Sequence, residues 1–222
     1  MVINASPTYQ RARREEHKDE RRRVLLDAAL ELFRTSPYAD VKMADVAARA
    51  GFAKGTVFVY YPTKEALFLA LTERLLDEWL GIVGVELESG RGRFTGARIA
   101  RLLASTLGER PELTRLLAAL GTVLEQNVDA EIVLGWKRRL LEKLTQSGAL
   151  LEKRLSFLAP GEGAHFFLRA HAIVVGLRHL SDAPPVAHAA RAADPTLAPL
   201  FVEFEPELQS MLELLFAGME RG

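Results

Sequence analysis

Helical periodicity leaves this chain few ways to fold. Leu25, Ala28, Ala29, Leu32 and Phe33 recur at three- and four-residue spacing and so share one face of a helix. The same spacing returns in segment after segment, and no stretch shows the strict alternation of a half-buried strand. The sequence predicts an all-α protein, punctuated by proline and glycine. Ser36-Pro37 ends the first helix, because proline disfavours helical geometry in the residue before it. Two short helices follow, Met43–Arg49 and Lys54–Tyr60, with Gly51 in the turn between them. Pro62 breaks the chain, and Thr63 is placed to cap a fourth helix that runs to about Trp79. Further helices are predicted over Phe94–Gly108, Pro111–Leu120, Asp129–Leu158, Gly163–Leu180 and Pro206–Met219. Residues 183–204, rich in proline and alanine, read as a loop with at most one short turn of helix.

Composition narrows the function. At 222 residues and 49% hydrophobic, the chain can bury a sizeable core. It has no apolar run long enough for a membrane span and no apolar N-terminal signal, so a cytoplasmic protein is expected. With no cysteine, disulfides, thiolate metal sites and thiol catalysis are excluded. His165, His171, His179 and His188 lack metal-site spacing, and there is no glycine-rich phosphate loop and no nucleophile elbow. Neither an enzyme, a cofactor nor a metal is expected. The net charge of zero hides an asymmetry: residues 1–65 carry 12 Lys/Arg against 9 Asp/Glu, and the remainder is acidic to the same extent. A basic head on a slightly acidic body suits a protein that touches a polyanion at one end, although a basic run also reads as a solvated leader.

The most informative stretch is Val41–Glu65, VKMADVAARAGFAKGTVFVYYPTKE. Val46, Ala47 and Ala50 of the first short helix can pack on the second, where Val57 and Tyr61 share a core-facing side. Lys54, Gly55, Thr56, Phe58, Val59 and Tyr60 include the residues left outside. A helix of this kind fits the DNA major groove and reads base edges from its N-terminal half. Gly55 lets a backbone come close, and Thr63 and Lys64 open a helix whose N-terminus favours a phosphate.

Across about residues 20–70 the chain resembles the TetR family of transcriptional regulators. RRRVLLDAALELF, ADVAARAGFAKGTVFVYY and TKEAL carry the resemblance, in the family's order and spacing. The resemblance implies that Lys54–Tyr60 is the recognition helix. Lys54, Gly55 and Thr56 would face DNA, Tyr60 and Lys64 would meet phosphate, and Val59 would set sequence preference. Three residues depart from the family's pattern. Pro37 replaces a usual glycine; Lys42 replaces a threonine that caps and touches phosphate; Ala53 replaces a serine cap. Lys42 can still meet phosphate but cannot accept the cap hydrogen bond.

The resemblance divides the chain into a flexible basic leader over 1–17, a three-helix helix-turn-helix head over 18–65, and a larger helical bundle for ligand binding and dimerisation over 66–222. The leader is either an arm for the minor groove or a plain tail. The last two long helices would form the dimerisation face of a homodimer, although their apolar stripes also read as intramolecular core. An unknown small-molecule effector would bind among the middle helices. Asn127, Trp136, Phe166, Arg169 and His171 are the candidate lining residues. Alternatively, Trp136 and Phe166 are ordinary core, Asn127 caps the long helix, and His171 lies at the surface or an interface. The function expected is a repressor of a palindromic double-stranded operator, released when the ligand shifts the fourth helix. Activation, or a helical adaptor that has lost DNA binding, are the alternatives.

Overall fold

The computed structural model of the chain describes residues 7–182 and 184–221, with side chains from residue 16 onward. Helix α1 spans Pro7–Thr35, α2 Met43–Arg49, α3 Lys54–Tyr60, α4 Lys64–Ser89 and α5 Gly96–Gly108. They are followed by α6 (Pro111–Ala119), α7 (Ala130–Arg154), α8 (Glu162–Ser181), α9 (Pro185–Ala193) and α10 (Phe204–Arg221). No strand occurs among the described residues.

Several boundaries differ from the sequence reading, each for a local reason. Helix α1 begins at Pro7, inside the stretch expected to be a flexible leader; residues 1–6 lie outside the described residues. This part of the helix has no apolar stripe to betray it, but it is rich in good helix formers. The ion pairs Arg22–Asp19 (3.1 Å) and Arg23–Glu20 (2.8 Å) link successive turns. Helix α4 continues ten residues past Trp79 to Ser89, through the poor helix formers Gly81 and Gly84. The segment after α8 is not a bare loop: α9 and a 3₁₀ turn over Pro195–Leu200 occupy most of it, with no buried residue in either. Between α6 and α7 the chain makes a π-helical turn, Leu120–Leu124, which apolar spacing does not announce.

Two apolar clusters result. The head cluster gathers Leu25, Ala29 and Phe33 of α1, Val46 and Ala47 of α2, and Val57 of α3 around Leu67, Phe68 and Leu71 of α4. Gly51, at φ 72°, turns the chain between α2 and α3 in the left-handed region, which would cost other residues roughly 1–2 kcal/mol. The body cluster packs α5, α8 and α10 against the second half of α4 and α7. Leu208, Leu212 and Phe216 of α10 are interior to this core, so this part of its apolar stripe is intramolecular; Met211 and Leu214 of the same helix remain exposed. Helices α7 and α8 touch backbone to backbone, since a Cβ on Gly163 would lie 2.2 Å from the carbonyl oxygen of Gly148.

The head cluster does not stop at the head. Leu116 of α6, Leu120 and Leu124 of the π-turn and Trp136 of α7 belong to it. Polar contacts follow the same route. Arg115 donates to the Phe33 carbonyl at 2.8 Å and stacks over the Phe33 ring, and Arg34 pairs with Glu112 at 3.0 Å.

Candidate nucleic-acid interface and effector cavity

Helix α3 turns Val57 fully inward and leaves a contiguous outer face. Lys54, Gly55, Phe58 and Val59 are exposed, and Thr56 and Tyr60 are half-buried. Val59 is 78% exposed. Gly55 is equally telling. A methyl there would meet nothing within 4 Å. Glycine inside a helix costs about 1 kcal/mol relative to alanine. The fold does not require it. Tyr61 completes the inner side, where burial pushes its phenol up to about 12 against the opposing pull of Arg22 and Arg74.

Neither Lys42 before α2 nor Ala53 before α3 supplies a side-chain cap, in keeping with their side chains. Thr63 does cap: its hydroxyl accepts from the Ala66 N–H at 3.0 Å. Lys42 is exposed beside the outer face of α3's neighbour, α2. Lys64 is placed otherwise than the sequence suggested. Its ammonium donates to the Tyr38 carbonyl and to that of Ala39 (3.2 Å), and lies 4.1 Å over the Tyr38 ring. Burial lowers its pKa. The Tyr38 ring meets Phe68 edge-on at 4.9 Å, and its hydroxyl donates to Glu65 at 3.2 Å. Lys64 thus fastens the turn after α1 to the start of α4 instead of pointing outward.

In the body, an apolar cavity of about 160 Å³ lies among α4, α5, α6, α7 and α8. Trp136 and His171, two of the five residues proposed from sequence, line it. The other three do not. Phe166 is interior and stacks on Phe216 at 4.2 Å. Arg169 is exposed on the outer side of α8, and Asn127 is exposed before α7. Asp129, not Asn127, caps α7 by accepting from Glu131 N–H at 2.8 Å. Trp79, Leu117, Lys137, Leu144 and Phe167 are lining residues that the sequence reading missed. They look like ordinary core-facing positions, and only the crossing of five helices reveals the gap between them. Burial, with Lys137 nearby, lowers the His171 pKa against the weaker pull of Glu125.

Residues 25–71 match the description "Bacterial regulatory proteins, tetR family", and residues 73–222 match "Tetracyclin repressor-like, C-terminal domain". The HTH-type transcriptional regulator RutR of Escherichia coli K12 is 24% identical over 179 residues, covering 78% of this chain and 79% of that one. The uncharacterized HTH-type transcriptional regulator YfiR of Bacillus subtilis is 37% identical over 65 residues, 29% of this chain and only 32% of that relative's length. Among solved structures, Thermus thermophilus FadR, a TetR family transcriptional repressor in complex with lauroyl-CoA, matches with a TM-score of 0.55 at 21% identity. The match covers 88% of this chain and 93% of that one, and it is a likeness of fold.

Proposed function

Since the chain belongs to the TetR family of bacterial regulatory proteins, we propose that it is a dimeric repressor whose α3 enters the major groove of a palindromic operator and whose body cavity holds the releasing ligand. The observation that carries the DNA reading is the outer face of α3, where a glycine the fold does not need adjoins a valine it does not bury. On this reading Lys54 and Thr56 meet base edges or phosphate, Val59 touches a thymine methyl, and Lys42 and Tyr60 meet the backbone. Thr63 and Lys64 hold the frame that presents them.

Two heads are needed to read half-sites about 34–36 Å apart. The outward sides of α8 and α10, with Leu168, Leu180, Met211 and Leu214 exposed, supply an apolar face for a second copy. Gly176 on that face also has nothing within 4 Å of an added methyl. Ligand in the cavity would press on Trp136 and Leu120, which belong at once to the cavity wall and to the head cluster. The heads would then change spacing, and operator affinity would fall as the population shifts.

The uncapped starts of α2 and α3 favour one rival, an adaptor without specific DNA binding. One experiment separates them: titration of the full-length protein with the intergenic DNA beside its own gene, over a series of salt concentrations. A regulator binds that fragment above random DNA, and its affinity falls steeply with salt as counterions are released. Equal, weak binding to both fragments at low salt refutes the repressor.

A further inference from the structure

The cavity is apolar except at one end, where Lys137 and His171 stand. Its volume of about 160 Å³ is close to that of apolar cavities that take up a single benzene-sized molecule. The charged end is a half-exposed ion pair. Lys137 Nζ lies 2.6 Å from Glu125 Oε1, and this one ion pair is what an incoming anion would have to exchange. Lys137 also sits 4.8 Å from the centre of the Trp136 ring, and half of its side chain is exposed. Glu125 ends the π-helical turn Leu120–Leu124. Leu120 lines the cavity, and both Leu120 and Leu124 are buried in the cluster shared with the head.

These features discriminate among ligands. A cation would meet the ammonium of Lys137. A wholly apolar molecule would fill the space but leave the Lys137–Glu125 contact as it is. An anion with a compact apolar body does both jobs: the body displaces nothing polar, and the charge replaces one carboxylate at Lys137 with another. Resting on the reading of this cavity as the effector site, we propose that the effector is a compact, apolar carboxylic acid. Its ring or short chain lies between Trp79, Trp136 and Phe167, and its carboxylate takes Lys137 from Glu125. Glu125, released, no longer ties the π-turn to α7, and the turn carries that change into the head cluster.

The chain's two tryptophans, Trp79 and Trp136, both line the cavity, so intrinsic emission reports its filling. Benzoate and hexanoate, with benzamide as the uncharged control, are titrated into the full-length protein. At least one acid is expected to change the emission saturably and to bind about tenfold more tightly than benzamide. Lys137→Met is expected to abolish that preference while leaving benzamide binding unchanged, and Glu125→Gln to strengthen acid binding by removing the competitor. Ala170→Leu, which fills the cavity from α8, is expected to abolish all three signals without touching the charged end. Silence from both acids, equal binding of benzamide, or an unchanged acid affinity in Lys137→Met overturns the proposal. DNA binding of the ligand-free protein is measured alongside. Salt-dependent operator binding with no response to acid removes only the ligand class; an acid response in a protein that binds no DNA removes the regulator reading instead.

Discussion

At the scale of single residues, the outer face of α3 separates what the fold needs from what a partner needs. Gly55→Ala should raise stability by about 0.5–1 kcal/mol, because an uncrowded helix position gains from alanine. The same substitution should weaken operator binding. A melting temperature that rises together with unchanged DNA affinity would remove Gly55 from the interface. Lys64 and Lys42 make a complementary pair. Lys64→Ala should cost the head about 1 kcal/mol, since the carbonyls of Tyr38 and Ala39 lose their donor. Lys42→Ala, at an exposed position, should leave stability alone and lower the salt slope by about one phosphate contact. Unfolding and binding isotherms of the two variants would show these roles reversed if Lys64, not Lys42, meets phosphate. His171 gives a pH signature. Its folded pKa is lowered, so the unfolded chain takes up the proton first as the solution is acidified. The stability it contributes is present above about pH 6.5 and is lost as pH falls below that value. Thermal melting at successive pH values should therefore show a smaller acid-side loss in His171→Asn than in the parent chain; identical losses would show that His171 does not titrate on unfolding.

At the scale of elements, legibility followed the source of each helix's stability. Helices α2, α3 and α10 bury one apolar side, so spacing alone located them within a few residues. The start of α1 is held by local charge pairs and propensity, which leave no periodic trace, and it was read as a leader. The π-turn was unreadable because its extra residue per turn serves packing against α4 rather than an apolar repeat. The outer face of α3, proposed to meet DNA, was legible because an outward-facing helix displays its chemistry in sequence order. The cavity was not: its walls come from α4 to α8, and the side chains of Leu117 and Leu144 differ in nothing from core until those helices cross. At the α7–α8 crossing the two backbones meet at Gly148 and Gly163. Gly163→Ala should force the helices apart and cost about 1–3 kcal/mol, whereas Gly81→Ala, at an exposed position with no neighbour within 4 Å, should not destabilise. Comparable melting temperatures for the two variants would contradict the backbone contact.

At the scale of the molecule, head and body share one apolar cluster, so the boundary expected from sequence at residue 65 is not a boundary of packing. Several connections cross it, the π-turn and α7 among them through Leu120, Leu124 and Trp136. Helix α4 runs through both clusters, and α6 reaches directly to the end of α1 through Arg115 and Glu112. The expectation from sequence placed all coupling on α4; the α6 contacts offer another path for it. Arg115→Ala should leave ligand binding and basal operator binding near their original values while reducing the drop in operator affinity that ligand causes. An undiminished drop, measured by anisotropy with and without ligand, would show that the α6 contacts carry none of the coupling. The glycine contact between α7 and α8 then acquires a mechanical meaning. Trp136 lies twelve residues from Gly148, roughly 18 Å along the helix, and Ile132, packed against the head cluster, lies sixteen residues away, roughly 24 Å. Were α7 to pivot at Gly148, its arm to Ile132 would exceed its arm to Trp136 by about a third. A small spreading of the cavity wall at Trp136 would then reach the head enlarged.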